Sequence, residues 1–254
     1  MDVHKIQTMA HSMRRRILDV SYSCNQSVHL GSGLSIVEIM ATLYGAILNY
    51  DKNNPAWEDR DRFILSKGHG VLGYYSALLV SGIISEAIFA SFQTNGSDLI
   101  AHPVMNIDLG IESSNGSLGQ GLSMGVGLAL AAKRKNIKHK IYVLLGDGEC
   151  GEGSVWEAIM SASHYKLDNL IAIVDNNLYQ SDGKRENIME YGDFAEKWKS
   201  FGWNVCPVDG HNVSDLYHAF SENNIDNKPK VLIAHTIKGK GVSFMENNND
   251  WHHN

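Results

Sequence analysis

The sequence predicts an α/β fold in which a parallel sheet is flanked by helices, and three observations carry that expectation. Short runs rich in β-branched residues recur at Arg62 to Leu65, Lys140 to Leu145, Leu170 to Val174, Asn204 to Val208 and Val231 to Ala234. Stretches of helical length lie between them, roughly at 70–80, 85–93, 118–134, 154–166, 193–201 and 214–222. No repeat, linker or low-complexity segment interrupts this alternation, so the 254 residues read as a single domain over 1–254. Strands joined through helices run parallel, because a parallel pair needs a long crossover connection.

Two helices precede the first strand. Residues 4–24 place Ile6, Met9, Ala10, Met13, Ile17, Val20 and Cys24 at helical spacing, with Arg14 to Arg16 expected on the solvated flank. After a polar turn, Ser35-Ile36-Val37-Glu38 has the spacing of a capping box, which predicts a second helix running from there to Leu48. The Gly- and Ala-rich stretch from Gly119 to Ala132 suits close helix packing, and Trp156, Trp198 and Trp203 read as core or interface aromatics. The Asn-rich end from Glu246 to Asn254 is expected to be mobile unless it docks.

Composition narrows the function classes. Hydrophobic residues make up 43% and charged residues 20%, which excludes a disordered chain. Twenty-two basic against 28 acidic residues leave a net charge of −6, so no global attraction to nucleic acid or an anionic membrane exists. Cys24, Cys150 and Cys206 are too few and too scattered for a disulfide framework or a zinc site. With no signal-peptide pattern and no long apolar span, a cytoplasmic protein with reduced thiols is expected.

The chemistry-bearing segment follows the second predicted strand. Ile141 to Leu145 runs into Gly146-Asp147-Gly148-Glu149-Cys150-Gly151-Glu152-Gly153, and a helix opens near Ser154. Ligands of parallel sheets bind beyond the carboxyl ends of strands, and a glycine turn before a helix N-terminus suits a phosphate. Gly146, Gly148 and Gly151 also satisfy Gly-x-Gly-x-x-Gly, with Asp175 placed where a dinucleotide site needs a ribose-binding acid. Against that reading, Asp147 would face the pyrophosphate with nothing to neutralise either charge. A divalent cation, Mg2+ or Ca2+, removes the conflict by taking the carboxylate and the diphosphate oxygens as ligands of one hard ion. The next strand delivers Asn176-Asn177 at its own carboxyl end, so Asn177 offers an amide oxygen and Tyr179 a main-chain carbonyl.

The Asp147/Asn177 pairing is the signature of thiamine-diphosphate enzymes, and further motifs narrow the resemblance. Ser66-Lys67-Gly68-His69-Gly70, Gly116-Ser117-Leu118-Gly119-Gln120-Gly121, Ile237-Lys238-Gly239-Lys240-Gly241 and Phe244-Met245-Glu246-Asn247-Asn248 look like transketolase. The match runs along essentially the whole chain, which resembles the N-terminal, diphosphate-binding subunit of a split transketolase. The resemblance implies the thiamine-diphosphate PP-type fold. It implies that Asp147, Asn177 and the Tyr179 carbonyl ligate the metal, and that Gly148 and the backbone of Gly116, Ser117 and Leu118 contact the cofactor. His29 and His102 match the family's substrate histidines, and His69 and His252 match those flanking cofactor and substrate. Glu152 matches a glutamate that links two active sites across the dimer interface.

The family's cofactor-activating glutamate and sugar-phosphate-binding arginines belong to a second domain without a counterpart here. The resemblance therefore implies an obligate complex with a separate C-terminal transketolase subunit carrying the pyrimidine-binding domain, expected as a heterotetramer. The expected reaction moves a two-carbon ketol unit from a sugar or sugar phosphate to an aldehyde. Leu30 after His29, Asn115 before Gly116 and Gly151 depart from the common family pattern at loops bordering the donor pocket and the subunit contact. The alternatives are the α subunit of a 2-oxo acid dehydrogenase, a deoxyxylulose-phosphate synthase fragment, a nicotinamide-dependent dehydrogenase, and a non-catalytic partner subunit.

Overall fold

Five parallel strands set the architecture, in a computed structural model that describes residues 2–24, 26–222 and 226–252. In chain order the strands are β1 (Arg62–Leu65), β2 (Ile141–Gly146), β3 (Leu170–Asn176), the short β4 (Tyr179–Gln180) and β5 (Gly183–Lys184), β6 (Asn204–Asp209) and β7 (Lys230–His235). The main sheet runs β1-β2-β3-β7-β6, and β4 with β5 forms a separate antiparallel hairpin. Each of the five predicted strands is present within a residue or two of its expected ends. Register aligns Leu65 with Leu144, Gly146 with Asp175 and Asn176 with His235, so the loops after β1, β2, β3 and β7 leave the sheet along one edge.

Strands β1, β2, β3 and β7 are almost wholly buried, which explains their nearly continuous apolar character, whereas β6 at the sheet edge is mostly half-exposed. Successive residues alternate sides: Tyr142 and Leu144 join one core, while Ile141, Val143 and Leu145 join the other. The first core is closed by α1 (Val3–Ser23), α2 (Leu30–Leu34), α3 (Val37–Thr42), α4 (Val71–Val80), α5 (Glu86–Ala90) and, later in the chain, α10 (Val213–Ser221). The second is closed by α6 (Gln120–Arg134), α7 (Gly153–His164) and α9 (Phe194–Ser200), with Trp198 and Trp203 buried in it as aromatic anchors. The one-turn helix α8 (Arg185–Ile188) follows the hairpin, and α10 (Val213–Ser221) lies between β6 and β7. Each fully buried Val, Leu or Ile in these layers contributes roughly 1.5–3 kcal/mol. Among the described residues no helix is long and apolar enough to cross a membrane.

Two sequence expectations are corrected, and the condition set for the chain end is met. The second helix is not one element capped by Ser35: α2 ends there, α3 begins at Val37, and the chain widens into a π-helix over Leu43–Ile47. The capping box fails because its two side chains are engaged elsewhere. The Ser35 hydroxyl donates to Asp175 at 2.7 Å, and Glu38 accepts from Arg14 at 2.5 Å. Arg14 is consequently not on a solvated face, whereas Arg15 is. The Asn-rich end docks as far as His252: the Asn247 amide donates to the Lys238 carbonyl and the Asn249 amide group to the Ser181 carbonyl.

Gly121 shows how tightly α6 approaches the sheet. A Cβ there would lie 2.5 Å from the Cβ of Ser66, and one at Gly125 would lie 2.5 Å from Val143 Cγ2. Gly121→Ala is expected to destabilise the fold by about 1–3 kcal/mol through overpacking. Thermal unfolding checks this, with Gly127→Ala, which meets no atom within 4 Å, as the control expected to keep or slightly raise stability through helix propensity.

Candidate active site

Four strand ends supply the site, because parallel register brings their following loops together. After β1 come Ser66 to Gly70, after β2 Asp147 to Gly153, after β3 Asn177 to Tyr179 and after β7 Ile237 to Gly241. They surround a cavity of about 290 Å³ whose lining includes His29, His69, His102, Asp147, Lys238 and His252. A larger cleft of about 680 Å³ opens beside the β4–β5 hairpin and is lined by Lys184, Arg185, Glu186 and Glu190. It shares Asn177 and Tyr179 with the smaller cavity, but Asp147 and the four histidines line only the smaller one.

Those histidines, drawn from three loops and the docked chain end, converge. The His29 ring lies 5.6 Å from His69, 5.7 Å from His102 and 5.4 Å from His252, centroid to centroid, and His69 lies 5.7 Å from His252. Burial and then the Lys67 cation push the His69 imidazole well below its ordinary range, with the other three histidines adding to the effect. His69 is therefore neutral at physiological pH, with one ring nitrogen to donate a hydrogen bond and the other to accept one.

Asp147 is 1% exposed at the carboxyl end of β2. Its Oδ2 accepts from the Leu178 amide at 3.0 Å and from Arg185 Nη1 at 3.1 Å. Burial, and then the neighbouring Asp175 carboxylate, nonetheless raise its pKa to about 6. A buried carboxylate under that pressure is deficient in positive charge. Asp175 is not: it accepts from Lys67 Nζ at 2.5 Å, from Ser35, from Asn177 Nδ2 at 2.9 Å and from the Thr236 hydroxyl. Because a carboxylate only accepts, it fixes the Asn177 amide with nitrogen inward and Oδ1 outward, where Oδ1 also accepts from the Tyr179 amide at 3.0 Å. Asp147, Asn177 and Tyr179 all line the cavity. One carboxylate, one amide and one main-chain carbonyl form an incomplete all-oxygen set, which fits a hard divalent cation whose other ligands are diphosphate oxygens and water.

Backbone shape holds the glycine turn against its neighbours. Gly119 adopts φ +79° at the start of α6, and a Cβ there would come within 2.7 Å of Glu152 Cβ. Its amide donates to Glu149 Oε1 at 2.8 Å, while the Gly146 amide donates to Glu149 Oε2 at 3.0 Å and Ser66 to Oε1 at 2.5 Å. Glu149 thereby ties three of the loops together from beneath. The neighbouring Cys150 thiol is fully buried, contacts the Gly146 carbonyl at 3.4 Å, and is driven well above its ordinary pKa by burial.

The expected site residues are placed as follows. Gly116, Leu118, Gly148 and the exposed Glu152 line the cavity with Asp147, Asn177, Tyr179 and the histidines, whereas Ser117 is exposed and does not line it. Asp175 is unavailable to a ribose, since its buried oxygens are committed to Lys67, Ser35, Asn177 and Thr236, and the dinucleotide reading fails on that ground. Residue-by-residue reading missed Ser32, Lys67, Glu149 and Lys238. Lys238 is 1% exposed, donates to the Gln180 carbonyl at 3.1 Å and to Asn249 at 2.8 Å, and is held down to about 8 by burial and then Lys67. It stays cationic at pH 7, facing the cavity that holds Asp147. Its signal in the sequence is the Ile237 to Gly241 motif, whose pattern does not by itself single out this cation.

Comparison with known proteins agrees with this geometry. The thiamine diphosphate-binding domain of transketolase matches residues 6–254. An apulose-4-phosphate transketolase subunit of Phocaeicola vulgatus is 41% identical over 254 residues, covering 100% of this chain and 90% of that protein. The 6-deoxy-6-sulfo-D-fructose transketolase subunit of a Clostridium species is 41% identical over 86% of this chain and 80% of its own length. Transketolase from Campylobacter jejuni superposes with a TM-score of 0.92 at 31% identity, over 100% of this chain but 41% of that one. The chain belongs to the transketolase family.

Lys67→Met tests the electrostatics beneath the site. Wild-type Asp175 is held below its ordinary value of 3.8, so its contribution is complete above that pH and is lost as pH falls through the depressed value. Removing the lysine leaves a buried uncompensated carboxylate, an expected loss of about 3–5 kcal/mol near neutrality. The deficit should shrink on acidification, as Asp175 takes up a proton. Urea unfolding at pH 7.5 and pH 5 reads both effects, and a loss that is the same at the two pH values contradicts the assignment.

Proposed function

We propose that this chain, with residues 1–254 as a single domain, is the diphosphate-binding half of a two-subunit transketolase. The observation that carries the reading is the convergence of His29, His69, His102 and His252 beside the Asp147/Asn177 oxygen set on one sheet edge. Thiamine diphosphate, when bound, supplies the electron sink for breaking and making the ketose carbon–carbon bond. Everything else is asked of the protein.

Asp147, Asn177 and the Tyr179 carbonyl would hold Mg2+ (or Ca2+), and Lys238 adds a fixed cation for the diphosphate. The backbone at Gly116 to Leu118 and at Gly148 would contact the cofactor. His29 and His102 bind the ketose hydroxyls. Neutral His69, with His252, holds or relays the proton moved between substrate oxygens. Arg185 and the Leu178 amide hold Asp147 at Oδ2 and so fix the carboxylate that would face the metal.

The companion subunit is inferred from coverage. The chain spans nearly the whole of the Phocaeicola relative but 41% of a single-chain transketolase. A separate C-terminal chain carrying the pyrimidine-binding domain would complete the site, with Glu152 at the contact between active sites and a heterotetramer as the assembly. The two bacterial relatives are named for ketoses bearing a phosphate and a sulfonate, which supports an anionic ketose as donor. The free thiols Cys24, Cys150 and Cys206 support a cytoplasmic setting.

Asp147→Ala is expected to abolish magnesium-dependent thiamine diphosphate binding by the assembled complex, read by calorimetry; unchanged affinity removes the metal assignment. The purified chain alone should show no ketol transfer, and mixing it with the companion chain should produce transfer. Pyruvate decarboxylation without ketol transfer would instead favour a 2-oxo acid enzyme. His29→Ala in the complex should lower turnover by roughly 10²-fold or more, whereas full retention would point to a non-catalytic role.

A further inference from the structure

The loop that carries Lys238 is held by a chain of side chains that starts outside the cavity. His211 lies between β6 and α10, its own amide donating to Asp209 Oδ1 at 2.8 Å. The Ile237 amide donates to His211 Nε2 at 2.8 Å. An amide N–H can only donate, so Nε2 must be the unprotonated nitrogen and Nδ1 the one bearing hydrogen. Nδ1 meets Glu38 Oε2 at 2.9 Å, and Glu38 Oε1 accepts from Arg14 Nη2 at 2.5 Å. Arg14 Nε in turn donates to the Lys240 carbonyl at 3.0 Å. Arg14 and His211, on either side of Glu38, hold its carboxyl below the usual range against the cost of burial.

This network grips the main chain on both sides of Lys238, at Ile237 and at Lys240. The Gly239 amide adds a third hold by donating to the Gly31 carbonyl at 3.1 Å. Gly241 leaves room for the arginine, since a Cβ there would sit 2.5 Å from Arg14 Nε. The arginine, glutamate and histidine are each only slightly exposed, so none is a solvated surface group.

We propose that His211 is a positioning residue for the cofactor diphosphate: by accepting from the Ile237 amide, it fixes the backbone that aims Lys238 into the cavity. The proposal rests on the reading of that cavity as the diphosphate site. His211 itself does not line the cavity, and its role is exerted through the adjoining peptide.

Two variants separate the acceptor from the rest of the imidazole. His211→Gln retains an oxygen near the Nε2 position, and His211→Asn retains a donor near Nδ1 but no acceptor that reaches Ile237. Hydrogen exchange of the 236–242 segment in the full chain reads the clamp directly, and calorimetric titration with magnesium pyrophosphate reads its consequence. His211→Asn should exchange faster in this segment and bind pyrophosphate roughly tenfold more weakly, with His211→Gln within roughly twofold of wild type in both readouts. Unchanged exchange and affinity in His211→Asn overturn the proposal. Equal losses in both variants, following a common drop in melting temperature, overturn it as well, because they describe a merely structural histidine. Lys238→Met separates this result from the underlying reading: if it binds pyrophosphate like wild type, or if wild type binds none, the diphosphate assignment falls and the positioning role with it.

Discussion

Two carboxylates on neighbouring strands, both withdrawn from water, set the central constraint on this molecule. Parallel register places Gly146 opposite Asp175, and therefore brings Asp147 close to it. A buried lysine, two hydroxyls and an amide neutralise or satisfy Asp175. Asp147 has an arginine and a main-chain amide on one oxygen and remains short of positive charge. The protein thus answers one half of its internal charge conflict permanently and leaves the other half open toward the cavity. An incompletely compensated carboxylate among oxygen donors has the chemistry that suits a hard cation.

Satisfying Asp175 also organises the surrounding elements. Its partners come from α2's end at Ser35, from β1's end at Lys67, from Asn177 on its own strand's exit and from Thr236 after β7. Glu149 does the same for the glycine turns, drawing Ser66, Gly119 and Gly146 onto one carboxylate. The histidines sit above these anchors and inherit their positions from them. Catalytic geometry of this kind needs a supporting layer whose rotamers are locked by burial, and the buried acids and lysines beneath the cavity provide it.

Much of this was legible in the sequence because it is periodic or local. Strand ends could be placed, since apolar runs stop at Gly146 and Asp175, and the Gly-Asp-Gly and Asn-Asn pair could be joined once those ends were assumed adjacent. The four histidines stand out only through family motifs, since nothing local to an isolated histidine marks it as part of a site. What escaped was long-range and polar. Nothing local marks Ser35 or Glu38 as other than a helix cap, yet their partners lie 140 and 173 positions away at Asp175 and His211. Lys67 and Lys238 resemble surface lysines until the fold buries them. The chain end similarly reads as a tail, because its docking depends on Lys238 and Ser181, which only the tertiary structure brings near.

Cys150 has a practical corollary. Its sulfur is enclosed within the turn that follows β2, and burial keeps it in the inert thiol form, so an alkylating reagent has no route to it while that turn stays closed. Covalent labelling at this position would record each opening of the turn after β2, making it a built-in gauge of how often this side of the cavity breathes.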